Sequence, residues 1–132
     1  MARRALLDTS VLISREGETE PPSAPPDIEE LAVSVVTLAE LEAGVLRGSI
    51  QSEVRARRLV TLSYVRETYE ALDVDQHAAR QFARIAAQLR DAGRSVRVND
   101  AWIAATALAN GAGVVTADRD FELMPGLDVT LV

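Results

Sequence analysis

Val98–Phe121 reads VNDAWIAATALANGAGVVTADRDF, and this stretch decides how the rest of the chain is understood. Asn99 and Asp100 open a segment in which Ile103, Ala107 and Leu108 recur at helical spacing, and Gly111 and Gly113 close it. The pattern predicts a helix of about three turns. Gly113-Val114-Val115-Thr116 is apolar and β-branched and halts at Ala117-Asp118-Arg119-Asp120, as a buried strand ending in acid would. A helix with a carboxylate at its start, feeding a strand with a carboxylate at its end, is how an open α/β sheet puts acids in the crevice where ligands sit.

The same design recurs earlier. Ala5-Leu6-Leu7 is cut off by Asp8-Thr9-Ser10 and followed by Val11-Leu12-Ile13, predicting strand, carboxylate and helix start. A helix N-cap is the alternative role for Asp8. Leu31–Val36 is the next strand candidate. Thr37-Leu38-Ala39-Glu40 then begins a helix with Leu38, Leu41 and Val45 on one face. Glu40 either reaches the crevice shared with Asp8 or closes a Thr37-x-x-Glu40 capping box. Between these units, Arg15–Glu30 is rich in Pro, Glu and Ser and predicts a surface loop leading into a short helical turn near Asp27.

Further along, Ile50–Arg66 predicts a helix with Val54, Arg58, Leu62 and Val65 in register and a basic flank that reads as a solvated, ion-paired face. Ala71–Val74 is a weak strand. Asp75 caps a helix over Gln76–Asp91, with Ala79, Phe82, Ala83, Ala86 and Leu89 facing inward and His77 at the surface. Leu127–Val132 supplies a last strand after the Pro125-Gly126 turn. Leu46, Ile50 and Val54 are readable as core or as a dimer surface. Strands alternating with helices imply right-handed crossovers and a parallel sheet covered on both faces, so Asp8 and Asp118 fall on the same sheet edge. Asp100 and Glu40 join them from neighbouring first helical turns.

Composition narrows the chemistry. The 132 residues, 48% hydrophobic, suit one globular domain spanning 1–132 that buries roughly two-thirds of its unfolded surface. Cysteine is absent, which removes disulfides, thiolate nucleophiles and sulfur-bound metal. His77 is the only histidine, and no serine sits in a nucleophile elbow, so a Ser-His-Asp hydrolase has little to build on. A net charge of −6 argues against a simple electrostatic nucleic-acid binder. All fourteen basic residues are nevertheless arginine, whose planar fork suits phosphate. Asp8 interrupts the only signal-like apolar start, and no apolar run approaches the ~20 residues that span a bilayer. These features predict a cytoplasmic protein with no membrane partner.

Four carboxylates gathered in one crevice repel unless a cation compensates them. A site of oxygens alone points to Mg²⁺ or Mn²⁺, with Ca²⁺ as a further option, rather than Zn²⁺. Such a centre suits phosphodiester hydrolysis without a histidine base. Ser10 and Thr116 have hydroxyls placed to orient a water or a carboxylate, and packing of the Thr116 methyl is an equal reading.

LLDTSVLI (6–13), VVTLAELEAGV (35–45), VNDAWIAATAL (98–108) and VVTADRDF (114–121), in this order, resemble PIN-domain proteins of the VapC type, the toxins of toxin–antitoxin pairs. The resemblance runs over essentially the whole chain. It implies a three-layer α/β/α fold with a parallel five-stranded sheet of order 3-2-1-4-5. It also implies that Asp8, Glu40, Asp100 and Asp118 are metal-binding acids, and that Thr116 is the small hydroxyl residue before the last of them. The activity it implies is a Mg²⁺- or Mn²⁺-dependent endoribonuclease acting on a structured RNA such as tRNA or rRNA, leaving a 5′-phosphate and a 3′-hydroxyl. Homodimers, and a heterotetramer or larger assembly with a VapB-type antitoxin, are the implied partnerships. Two features depart from the plainest pattern: the long Pro/Glu loop, and Asp120, a further acid beside Asp118.

Rival readings are a structure-specific DNA nuclease, which shares the acidic crevice but usually needs more helical elements, and a non-catalytic module that binds a partner protein. A phospho-acceptor receiver domain ranks last, because it wants a lysine near its acids and the chain has none.

Overall fold

A computed structural model describes residues 3–18, 22, 24–47 and 52–132. Five parallel strands, β1 (Arg4–Leu7), β2 (Glu30–Ser34), β3 (Ala71–Leu72), β4 (Gly113–Thr116) and β5 (Val129–Leu131), form one sheet in the order β3-β2-β1-β4-β5. The helices are α1 (Thr9–Ser14), α2 (Val35–Arg47), α3 (Glu53–Thr68), α4 (Gln76–Asp91) and α5 (Val98–Ala109), with a 3₁₀ turn at Arg119–Leu123.

The period-2 alternation of strands sorts the core onto two faces. Leu6, Ala32 and Val114 point to one side, where they meet Ile85 and Leu89 of α4 and the buried stripe of α5. Ala5, Leu7, Val33 and Val115 point to the other, against Val11 and Leu12 of α1, Leu41 and Val45 of α2, and Leu62 and Val65 of α3. The result is three layers. Helix α5 buries seven of its twelve residues, four of them alanines, and these small side chains let its backbone lie close to the sheet. Leu6, wholly buried in the middle strand, is the kind of side chain whose truncation to alanine costs about 2–5 kcal/mol.

Several boundaries differ from the sequence reading. Helix α2 starts at Val35, not Thr37, because the Ser34 hydroxyl already accepts from the Val36 N–H and stops β2 there. Helix α3 starts after Ser52, whose hydroxyl accepts from Val54 and Arg55 N–H; positions 50 and 51 of the predicted helix lie outside the described residues. Val54 and Leu46 are exposed rather than core, while Arg57, Arg58 and Arg66 do form the expected ion pairs. Asp75 caps α4 as predicted, but α4 is turned by one position. Ala78, Ile85 and Leu89 are buried with Phe82 beside them, and Ala79, Ala83 and Ala86 are exposed. Ile85, the β-branched residue omitted from the inward set, fixes that rotation, and Phe82 stacks on Trp102 of α5 at 3.9 Å. Within Arg15–Glu30, a turn occurs at Pro26–Asp27, and residues 19–21 and 23 lie outside the description. Among the described residues, no helix is long and apolar enough to cross a membrane.

Candidate active site

The carboxyl ends of the two central strands carry the acids. Leu7 of β1 pairs with Val115 of β4, so the next residue on each strand, Asp8 and Thr116, are neighbours. The Asp8 N–H closes the ladder onto Val115 O at 2.9 Å. Asp8 occupies the N-cap position of α1 but makes no side-chain cap bond. Its carboxylate is buried and its Oδ2 accepts from both Ser10 Oγ at 2.6 Å and Thr116 Oγ1 at 2.9 Å. Two hydroxyls on one oxygen fix the carboxylate plane and leave Oδ1 out of both bonds. The side chain thus bonds the two hydroxyls in place of the helix cap. Thr116 also accepts from the Asp118 N–H at 2.9 Å, so its hydroxyl, and not only its methyl, has a role.

Asp118 follows β4 by two residues and caps the 3₁₀ turn, its Oδ1 accepting from the Asp120 N–H. Asp120 itself is exposed. Glu40 lies in the second turn of α2, too far along it to serve a capping box. Its Oε1 instead accepts from Thr9 Oγ1 at 2.8 Å, and the Thr9 hydroxyl lies 3.0 Å from that of buried Thr37. The sequence reading passed over Thr9 and Thr37 as site residues. The available signal was a hydroxyl directly after a strand-end acid, and another at the strand-to-helix junction.

Asp100, in the first turn of α5, joins the group electrostatically. It is 7% exposed, and its Oδ2 is buried without a hydrogen-bond partner among the described residues. Burial first, then the negative charges of Asp8, Asp118 and Glu40, push its carboxyl up from 3.8 to about 6, while Arg97 pulls the other way. The three other acids act on Asp100, and Asp120 is not among them.

The donor set suits a hard divalent cation in its chemistry. It is all oxygen, and among the described residues Asp100 Oδ2 is a buried acceptor without a donor. Among the described residues, the carboxylates do not already close into a three-ligand cage.

Behind the acids, Arg58 of α3 crosses α2 at Gly44 and bonds Glu16 Oε1 through Nε at 2.6 Å, both side chains being largely buried. This pair ties the end of α1, whose first residues hold Asp8 and Glu40 in place, to the helical pair α2–α3.

A parallel 3-2-1-4-5 sheet with acids after β1 and β4 and on the helices α2 and α5 defines a PIN domain, and residues 5–127 match that family. Ribonuclease VapC5 of Mycobacterium tuberculosis is 45% identical over 122 residues, 92% of this chain and 87% of that protein. Ribonuclease VapC4 of the same organism is 42% identical over 130 residues, 98% of each. The solved toxin–antitoxin structure VapBC-5 from M. tuberculosis matches with a TM-score of 0.82 at 41% identity over 98% of both chains. DNA-bound VapBC from Salmonella typhimurium matches with a TM-score of 0.78 at 28% identity and the same coverage. The chain belongs to the VapC branch of the PIN-domain family.

Proposed function

We propose that this chain is the toxin of a VapBC-type pair, a metal-dependent endoribonuclease acting on a structured RNA and restrained by a VapB-type antitoxin. The observation that carries the reading is the buried, unpartnered Oδ2 of Asp100 under the combined charge of Asp8, Glu40 and Asp118. An uncompensated cluster of this kind is costly to keep in a fold, and phosphodiester hydrolysis by bound cations is a use that rewards it.

Asp8, Asp100, Asp118 and Glu40 would hold one or two Mg²⁺ or Mn²⁺ ions. When bound, the metal supplies positive charge to polarise the phosphate and to lower the pKa of water. The chain's own part is positioning. Ser10 and Thr116 fix Asp8, Thr9 fixes Glu40, and Thr116 holds the backbone at Asp118. Hydrolysis adds water across the P–O3′ bond and yields a 5′-phosphate and a 3′-hydroxyl. The antitoxin assignment draws on relatives whose solved structures are toxin–antitoxin assemblies, and a homodimer that binds antitoxin is the expected assembly.

The test incubates antitoxin-free protein with end-labelled structured RNAs in Mg²⁺, in Mn²⁺ and in chelator, beside Asp8→Asn and Asp100→Asn. Discrete, metal-requiring cleavage lost in both variants is expected. Full cleavage by Asp100→Asn refutes the assignment.

A further inference from the structure

With Glu40 in its wall, a groove of about 780 Å³ runs between α2 and the start of α5. On α2 it follows one stripe, from Val36 through Ala39 and Ala43 to Arg47. On the other side it is bounded by Arg97, Val98 and Asn99. Glu40 belongs both to this wall and to the group of acids, and Asn99 immediately precedes Asp100. Seven residues separate Glu40 from Arg47, which is about 10 Å along the helix.

Two arginines line this groove, Arg47 and Arg97. Arg57, Arg58, Arg66 and Arg119 are paired with Glu53, Glu16, Glu42 and Glu122. Arg47 and Arg97 are exposed and form no ion pair with a described carboxylate. The Nε of Arg47 donates to Ala43 O at 3.2 Å, which lays the guanidinium back along α2, and among the described residues its terminal nitrogens make no further bond. A chain with a net charge of −6 and a cluster of acids at its centre repels a polyanion, so local cations next to that cluster are what a phosphate backbone needs to approach it. Among the described residues the lining joins small and aliphatic side chains to Glu40, Asn99 and the two arginines, with no aromatic ring on which a base would stack.

We propose that this groove seats the RNA strand flanking the scissile phosphodiester, with Arg47 and Arg97 holding its phosphates. The proposal rests on the ribonuclease reading and adds the path of the substrate. Contacts of this kind position the strand without reading its sequence. A polypeptide is the competing occupant, and the small-residue floor offers it no deep apolar anchor site.

The experiment measures binding of short labelled single-stranded oligoribonucleotides of different sequence to full-length Asp8→Asn protein, as a function of salt. Added Arg47→Gln is expected to lower affinity about tenfold at low salt and to reduce the salt slope by about 1, equally for every sequence. Adding Arg97→Gln deepens both effects. Arg47→Lys, which keeps the charge, retains most of the affinity and so separates charge from folding. Arg66→Gln, outside the groove, changes neither quantity. With Asp8 restored, Arg47→Gln raises KM and leaves kcat nearly unchanged. Parental affinity and slope in Arg47→Gln, a loss confined to one sequence, or an equal loss in Arg66→Gln each overturn the proposal; the first hands the groove to a polypeptide. Asp8-dependent cleavage with an unchanged KM in Arg47→Gln overturns the groove alone. Failure of the parent to bind any RNA, together with absence of cleavage by the wild type, overturns the ribonuclease reading with it.

Discussion

Replacing Asp100 by asparagine should make the protein more stable while removing its proposed activity. The carboxyl is raised from 3.8 to about 6 by burial and by three neighbouring acids. At about 1.36 kcal/mol per pH unit, ionising it in the fold costs up to about 3 kcal/mol. Asparagine carries no charge but still buries a polar group with imperfect partners, which takes back about 1 kcal/mol. A net gain of about 2 kcal/mol at pH 7 is expected, or roughly 5–10 °C in Tm for a domain of this size. The direction with pH is also fixed. Below pH 3.8 the group is protonated in the folded and unfolded chain alike and contributes no penalty. Between 3.8 and 6 the unfolded chain ionises first, so wild-type stability falls relative to the variant as pH rises, and above 6 the difference is constant. Urea denaturation of both proteins in chelator from about pH 4 to about pH 8 measures it. An Asp100→Asn protein that is no more stable than wild type near neutral pH, or whose advantage is the same at the acid end of the range, refutes the account of the crevice as a site of unmet charge.

Mg²⁺ or Mn²⁺ should raise the Tm of the wild type and have little effect on Asp8→Asn or Asp100→Asn; equal shifts in all three mean that the acids are not the site. Thr9→Val should lower kcat about tenfold with KM little changed, and Thr9→Ser should restore it, since Thr9 is the donor that holds Glu40; an active valine variant removes Thr9 from the positioning set. Gly44→Ala should destabilise the fold by about 1–2 kcal/mol. A Cβ there collides with Arg58 Nη1 and comes within 3.1 Å of its Cγ, which displaces Arg58 from buried Glu16 and outweighs the ~1 kcal/mol that alanine normally adds to a helix. A higher denaturation midpoint in that variant contradicts the clash.

What was legible in the sequence was whatever local patterning controls. The apolar runs before Asp8 and Asp118, the glycines that end α5, and the Asp75 cap carry their instructions within a few residues. From these, the parallel sheet and the edge on which its acids fall can be read. The fine choices depend on what lies across the fold. Ser34 ends β2 before Thr37 could cap a helix, so Glu40 is released from a local role to bond Thr9, thirty-one positions away. The face of α4 is set by where Ile85 fits against α5, and no count of alanines reveals that. Arg58 reaches Glu16 forty-two positions away only because Gly44 lacks a side chain, and neither residue announces the other in sequence.

The central position of β1 bears on when the group of acids can be completed. Asp8 is fixed by a hydroxyl on Thr116, 108 residues later, and β1 finds its second neighbour only when β4 arrives. A growing chain therefore carries its first acid for most of its synthesis with only Ser10 to hold it, and fragments that stop short of β4 lack both Thr116 and Asp118. In the proposed nuclease, the group of acids is complete only once β4 and the residues after it have been made. That timing gives a restraining partner made alongside the chain an opportunity to be present before there is anything to restrain.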